Sequence, residues 1–198
     1  MPEVEIPNPG ELEEVRNKAF TRRVAITTAV YAVMLAVAAL GGNNAMKDML
    51  LAQQQASDQW AFYQAKVIRE HAYRIQQKRL EVDLAERGAS LVPEVRQQYE
   101  ALLGEFAAEA KRYGTEKKDI EQDAKKWEHE RDVNRQKDPY FDFAEVLLQI
   151  AIVMSSVSIL ATSRLLYGIS FVLAVGGTLL MLNGYALVVV LPFFSGGH

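Results

Sequence analysis

Cysteine is absent from the 198 residues. Disulfides and thiolate metal sites are therefore excluded, and the redox compartment stays open. Histidine is scarce, with only His71, His129 and His198. No glycine-rich phosphate loop, nucleophile elbow or metalloprotease motif occurs. No catalytic constellation is visible, so the chain reads as a non-enzyme, and no cofactor is implied. The net charge of -3 lacks the basic excess that a nucleic-acid partner would require. Charge is also missing locally, from Val24–Leu40 and Leu165–Leu191 entirely and from Phe143–Ala161 except at Glu145.

What is present is a segregated pattern. The mean hydropathy is near zero, but Asn44–Gln136 carries most of the charge between one apolar run and two more. That is the pattern of a membrane protein with a water-exposed block. The expected fold is all-α, with three transmembrane helices and a long extramembrane antiparallel helical (coiled-coil) hairpin. The boundaries read as 1–23 N-terminal segment, 24–42 first span, 43–139 hairpin, 140–162 second span, 163–192 third span and 193–198 tail.

Pro2, Pro7, Pro9 and Gly10 interrupt the first ten residues. Glu11–Arg23 reads either as an amphipathic helix on the membrane surface or as a tail. Arg16, Lys18, Arg22 and Arg23 precede the first span, which places the N-terminus in the cytoplasm. The 23-residue polar leader is long for a signal peptide, so the run reads as an uncleaved anchor. The hairpin and the C-terminus then lie outside, and Arg164, in the tight Thr162-Ser163-Arg164 connection, lies inside. The hairpin holds 17 of the 22 Lys and Arg, but loops this long translocate largely regardless of charge.

The first arm runs from about Ala45 to Glu86, with Met49, Ala56, Trp60, Tyr63 and Val67 along one stripe. Gly88 is expected as a left-handed C-cap, Ser90 as the cap of the next helix and Pro93 in its first turn. In the second arm Tyr99, Phe106, Tyr113, Ile120 and Trp127 recur every seven residues, with Val95, Leu102, Leu103, Ala110 and Ala124 beside them. Gly104 and Gly114 are potential breaks, each costing roughly 1 kcal/mol relative to Ala. A hairpin centred near Gly88–Leu91 sets His71 opposite residue 108 and His129 opposite residue 50, so no zinc site forms. The run Lys117–Glu128 mixes both charge signs and reads as a solvated face. Asp138-Pro139 is expected to stop the second arm, and Tyr140, Phe141 and Phe143 to form an interfacial aromatic belt. Pro192-Phe193-Phe194 is expected to close the third span.

The stretch Ser57-Asp58-Gln59-Trp60-Ala61-Phe62-Tyr63-Gln64-Ala65-Lys66 resembles a bacterial family of uncharacterised membrane proteins defined only as a domain of unknown function. Its members have an N-terminal anchor, this helix and a C-terminal pair of spans. The resemblance implies that architecture and brings no activity, cofactor or catalytic residue.

Three sets of residues carry the functional expectations. Ala25, Ala29, Ala32, Ala36 and Ala39 draw a small-residue stripe along the first span, and Trp60, Phe62 and Tyr63 crowd the first arm. Both are read as packing surfaces, the stripe for a second copy in the bilayer and the aromatics for the hairpin core or another subunit. Glu145, Gln149 and Asn183 are candidate intramembrane polar contacts, and Gln149 and Asn183, matched in depth, are expected to face protein, either touching directly or meeting across a subunit contact. The preferred function is a membrane-anchored scaffold or assembly protein, homo-oligomeric or bound to an envelope protein partner, in the bacterial inner membrane. The alternative is a small channel or transporter subunit with a polar path near Glu145, Gln149 and Asn183.

Overall fold

A computed structural model describes residues 9–190. Among them the chain is all helical: α1 (Pro9–Arg87), α2 (Pro93–Leu160) and α3 (Arg164–Ala186). All three are long and apolar enough to cross a membrane. The chain divides into two units, Met1–Asp48 with Val133–His198, and Met49–Asp132.

The first unit packs three helical segments through small residues. On α1, Val24, Tyr31, Ala38 and Ala45 are buried and recur every seven residues. On α2, Phe141, Ala144, Leu148, Ala151, Ser155 and Ser158 alternate by three and four, as do Ser170, Ala174, Gly177, Met181 and Gly184 on α3. Small residues along such rows let the helix backbones approach closely. The glycines make that contact possible. A Cβ at Gly41 would overlap the Phe141 ring, and one at Gly184 would lie 3.0–3.2 Å from it. At Gly177 a Cβ would come 3.1 Å from the Ala144 carbonyl.

Phe141 and Tyr140 are each 1% exposed, which corrects the expected aromatic belt: of the three, only Phe143 faces out. Phe141 packs edge-on against Tyr185, and the Tyr140 hydroxyl donates to the Val189 carbonyl at 3.1 Å. The same packing explains why Pro139 does not end the second arm. Pro139 lies inside α2, where it forgoes one intrahelical bond. The fully buried rings that follow it fix the backbone in helical form.

The α2–α3 connection is as tight as expected. Ser163 N–H donates to the Ser158 carbonyl at 3.1 Å and Thr162 N–H to Ile159 at 3.3 Å, around Thr162 at φ 47°. This is a glycine-type helix stop built with threonine. The Ser163 side chain then caps α3 by accepting from Leu166 N–H at 3.5 Å. α3 ends at Ala186, short of the expected 192, because Leu187 turns left-handed and donates to the Asn183 carbonyl at 2.7 Å. Its 23 residues match a bilayer core of about 30 Å at about 1.5 Å per residue. The predicted closure at Pro192-Phe193-Phe194 lies outside the described residues, as do Pro2, Pro7 and His198.

At its start, α1 runs unbroken from Pro9 through the apolar stretch. The described part of Glu11–Arg23 therefore belongs to the same helix as the first span.

In the second unit, segments of α1 and α2 run antiparallel. Trp60 reaches Glu128, Lys66 reaches Glu116 and Glu70 reaches Lys117. A Cβ on Gly114 would stand 3.4 Å from the Glu70 carboxylate, and both Gly114 and Gly104 are helical, so neither breaks α2. Residue 92 lies midway between Glu70 and Gly114, so the register is centred slightly later than expected. The connection is a 3₁₀ turn, Gly88–Ser90. Gly88 is not left-handed, and the Ser90 hydroxyl bonds back to the Arg87 carbonyl at 2.8 Å instead of capping α2. Pro93 opens α2 as expected.

Candidate functional site

The residues singled out above fall into two groups, one in each unit.

In the first unit, the Glu145 carboxylate reaches α1, 3.6 Å from where a Cβ on Gly42 would stand. Gln149 is exposed. Asn183 is tied to its own chain end: its amide nitrogen donates to the Val189 carbonyl at 2.8 Å, and its oxygen accepts from Val189 N–H at 3.0 Å. Within one copy Asn183 therefore bonds Val189 rather than Gln149. The left-handed Leu187 folds the chain back within reach of the amide, and a local partner costs less entropy than one on another helix. With its side-chain oxygen and nitrogen both engaged there, Asn183 is a helix stop.

A polar cluster that sequence reasoning missed lies deeper in this unit. Thr28 and Ser155 share a hydrogen bond of 2.6 Å between α1 and α2. Ser155, Ser158 and Ser170 are fully buried, and Ser158 and Ser170 donate to carbonyls three residues back, on Ser155 and Tyr167. Tyr31 is buried beside them, its hydroxyl without a hydrogen-bond partner among the described residues. The available signal was the serine spacing at 155 and 158, on the same row as Leu148 and Ala151. In an apolar run, hydroxyls read as neutral filler unless the facing Thr28 is known.

The alanine stripe of α1 points away from its packed face. Ala25, Ala29, Ala32 and Ala36 are exposed and Ala39 is half-buried. Intramolecular packing thus uses one side of the helix and leaves the stripe uncovered.

In the second unit, Trp60 and Tyr63 are half-buried and meet edge-on with centroids 5.4 Å apart. Trp60 Nε1 donates to Glu128 at 3.0 Å. Phe62 is 60% exposed. Next to these lies a buried ion network centred on Glu70, whose side chain is 4% exposed. Its carboxylate takes Lys117 Nζ at 2.5 Å and Arg74 at 2.6 Å. Lys117 beside it, helped by Arg74 and His71, holds the Glu70 carboxyl below the usual 4.5. Tyr113, buried and stacked on Tyr73 at 5.7 Å, carries Lys66 and Arg112 near its ring. The expected solvated run at 117–128 therefore sends Lys117 and Glu128 into the helix contact. His71 and His129 are exposed.

The same unit leaves an apolar row exposed. Ile68, Ile75 and Val82, seven residues apart, are 68%, 52% and 55% exposed. This row lies outside the Met49–Val67 stripe expected to pack, and no sequence signal but its seven-residue spacing marks it.

Among the described residues no group of three or more His, Cys, Asp or Glu is placed to hold a metal ion. No curated protein matches the chain, and no solved structure matches it. The model of a domain of unknown function (DUF4337) matches residues 20–187, and the chain belongs to that family.

Proposed function

We propose that the protein is a non-enzymatic membrane-anchored scaffold that assembles as a homo-oligomer. In this reading three spans hold it in a bacterial inner membrane, with the N-terminus cytoplasmic and the residues between the first two spans outside. The observation that carries the reading is the Ile68–Ile75–Val82 row. Left in water, a half-exposed aliphatic side chain forfeits about 1 kcal/mol or more of burial. A heptad-spaced row of this kind is covered by another helix in a coiled coil. The exposed alanines of α1 support the same reading within the bilayer, where small residues let helices of two copies approach.

The test is the mass of the full-length protein in mild detergent. The parent is expected as a multimer. Ile68→Glu with Ile75→Glu should shift it to smaller species, and Ala32→Leu with Ala36→Leu should do so independently. A monomeric parent overturns the reading. A multimer unchanged by either pair removes both surfaces from the interface.

A further inference from the structure

We propose that the end of the first unit where α1 enters its apolar stretch holds the phosphate of an acidic phospholipid headgroup. A cleft of about 360 Å³ lies there, lined by Arg16, Ala19, Phe20 and Arg23 of α1 and by Arg164 and Tyr167 of α3. That volume is in the range of small-ligand sites. The α1 residues fall on one helix face by their spacing of three, one and three. Phe20 and Tyr167 meet edge-on at 5.9 Å and close the cleft floor between the helices.

Three guanidinium groups thus share one opening, and no ion pair engages Arg16, Arg23 or Arg164 among the described residues. The nearby Glu14 is already taken by Lys18 at 2.6 Å. The first turn of α3 carries no acidic residue, although a carboxylate there would be favoured by the helix dipole. Arg164 sits in that turn instead, where a cation is disfavoured. An anion between the two helices offsets all of these charges at once. Arginine suits the task because its planar fork meets phosphate oxygens in pairs.

The depth favours a lipid over a free ion. Charge gives way to apolar sequence at Arg23-Val24 and again at Arg164-Leu165, so the cleft falls at headgroup level if these segments span. Below it Ile26, Val30, Leu165 and Ile169 are exposed, an apolar surface for acyl chains. Basic sites between spans on the cytoplasmic side select acidic headgroups in this way.

The inference rests on the membrane reading but not on oligomerisation, and the experiment separates the two. Full-length protein is first floated with phosphatidylcholine vesicles. It is then titrated in zwitterionic detergent with phosphatidylglycerol or phosphatidylcholine, and bound lipid is counted by native mass spectrometry. Phosphatidylglycerol should bind at least tenfold more tightly. Arg16→Gln with Arg164→Gln should lower that affinity about tenfold or more, whereas Lys18→Gln with Arg22→Gln, an equal charge change outside the cleft, should change it less than twofold. Equal losses in both variants, or no headgroup preference, overturn the site. Displacement of the lipid by millimolar inorganic phosphate overturns the lipid assignment in favour of a soluble anion. Failure to float sinks the membrane reading itself. Flotation of the Arg16/Arg164 variant like the parent shows that it still folds and inserts.

Discussion

Replacing Glu70 with glutamine keeps the side chain's volume and removes its charge from the contact between α1 and α2. A charge-assisted contact like that to Lys117 is worth about 1.5–3 kcal/mol. The Arg74 pair, on the same helix with its cation 59% exposed, adds only about 0.3–0.5 kcal/mol. Opposing both is the desolvation of a carboxylate that is 4% exposed, which glutamine avoids. Lys117 is 25% exposed, so in the variant it can turn to water, and its discounted loss is smaller than for a fully buried cation. The net expectation is a loss of about 1–2 kcal/mol at neutral pH.

The effect carries a pH signature. The Glu70 carboxyl lies below 4.5 in the folded chain, chiefly through Lys117. Its stabilisation is therefore complete above 4.5 and is lost as pH falls through the lowered folded value. Once the parent carboxyl is protonated, parent and variant should converge. The two tryptophans, Trp60 and Trp127, both lie in the second unit. Their fluorescence during denaturant titration in mild detergent reports that unit alone. Coincident midpoints at pH 7, or a gap that stays constant down to pH 3, would refute the reasoning.

Three further outcomes follow from the same packing. Gly184→Ala puts a Cβ 3.0–3.2 Å from the Phe141 ring and should cost about 1–3 kcal/mol in thermal stability, whereas Gly104→Ala meets nothing within 4 Å and should gain up to about 1 kcal/mol; equal effects would show that the glycine contacts do not hold the unit. Asn183→Leu removes both bonds to Val189 and should cost about 1–3 kcal/mol locally, visible as faster amide exchange at Val189 with the rest of α3 unchanged. On the proposed topology, a cysteine at Ser90 should react with an impermeant thiol reagent in intact cells and one at Thr162 should not; the reverse pattern inverts the topology.

The sequence by itself determined the helical class, the three apolar segments, the tight turn at Thr162–Arg164 and the seven-residue row from Tyr99 to Trp127. Each of these follows from periodicity and composition, which act locally along the chain.

Only tertiary structure decided which signals prevailed. Pro139 reads as a helix stop, and the burial of Tyr140 and Phe141 overrode it, since local propensity is worth a few kcal/mol and packed rings offset that. Gln149 and Asn183 match in depth, yet depth does not fix direction around a helix axis, and the left-handed Leu187 gave Asn183 a nearer partner. Glu70 looks like any surface glutamate until Lys117 and Gly114 of the facing helix are set against it. Whether a charge in a helical run is solvated or buried depends on the register of the opposite strand of helix. That register is a non-local quantity, fixed by the closure of the turn at Gly88–Ser90 and by the fit of Tyr73 against Tyr113.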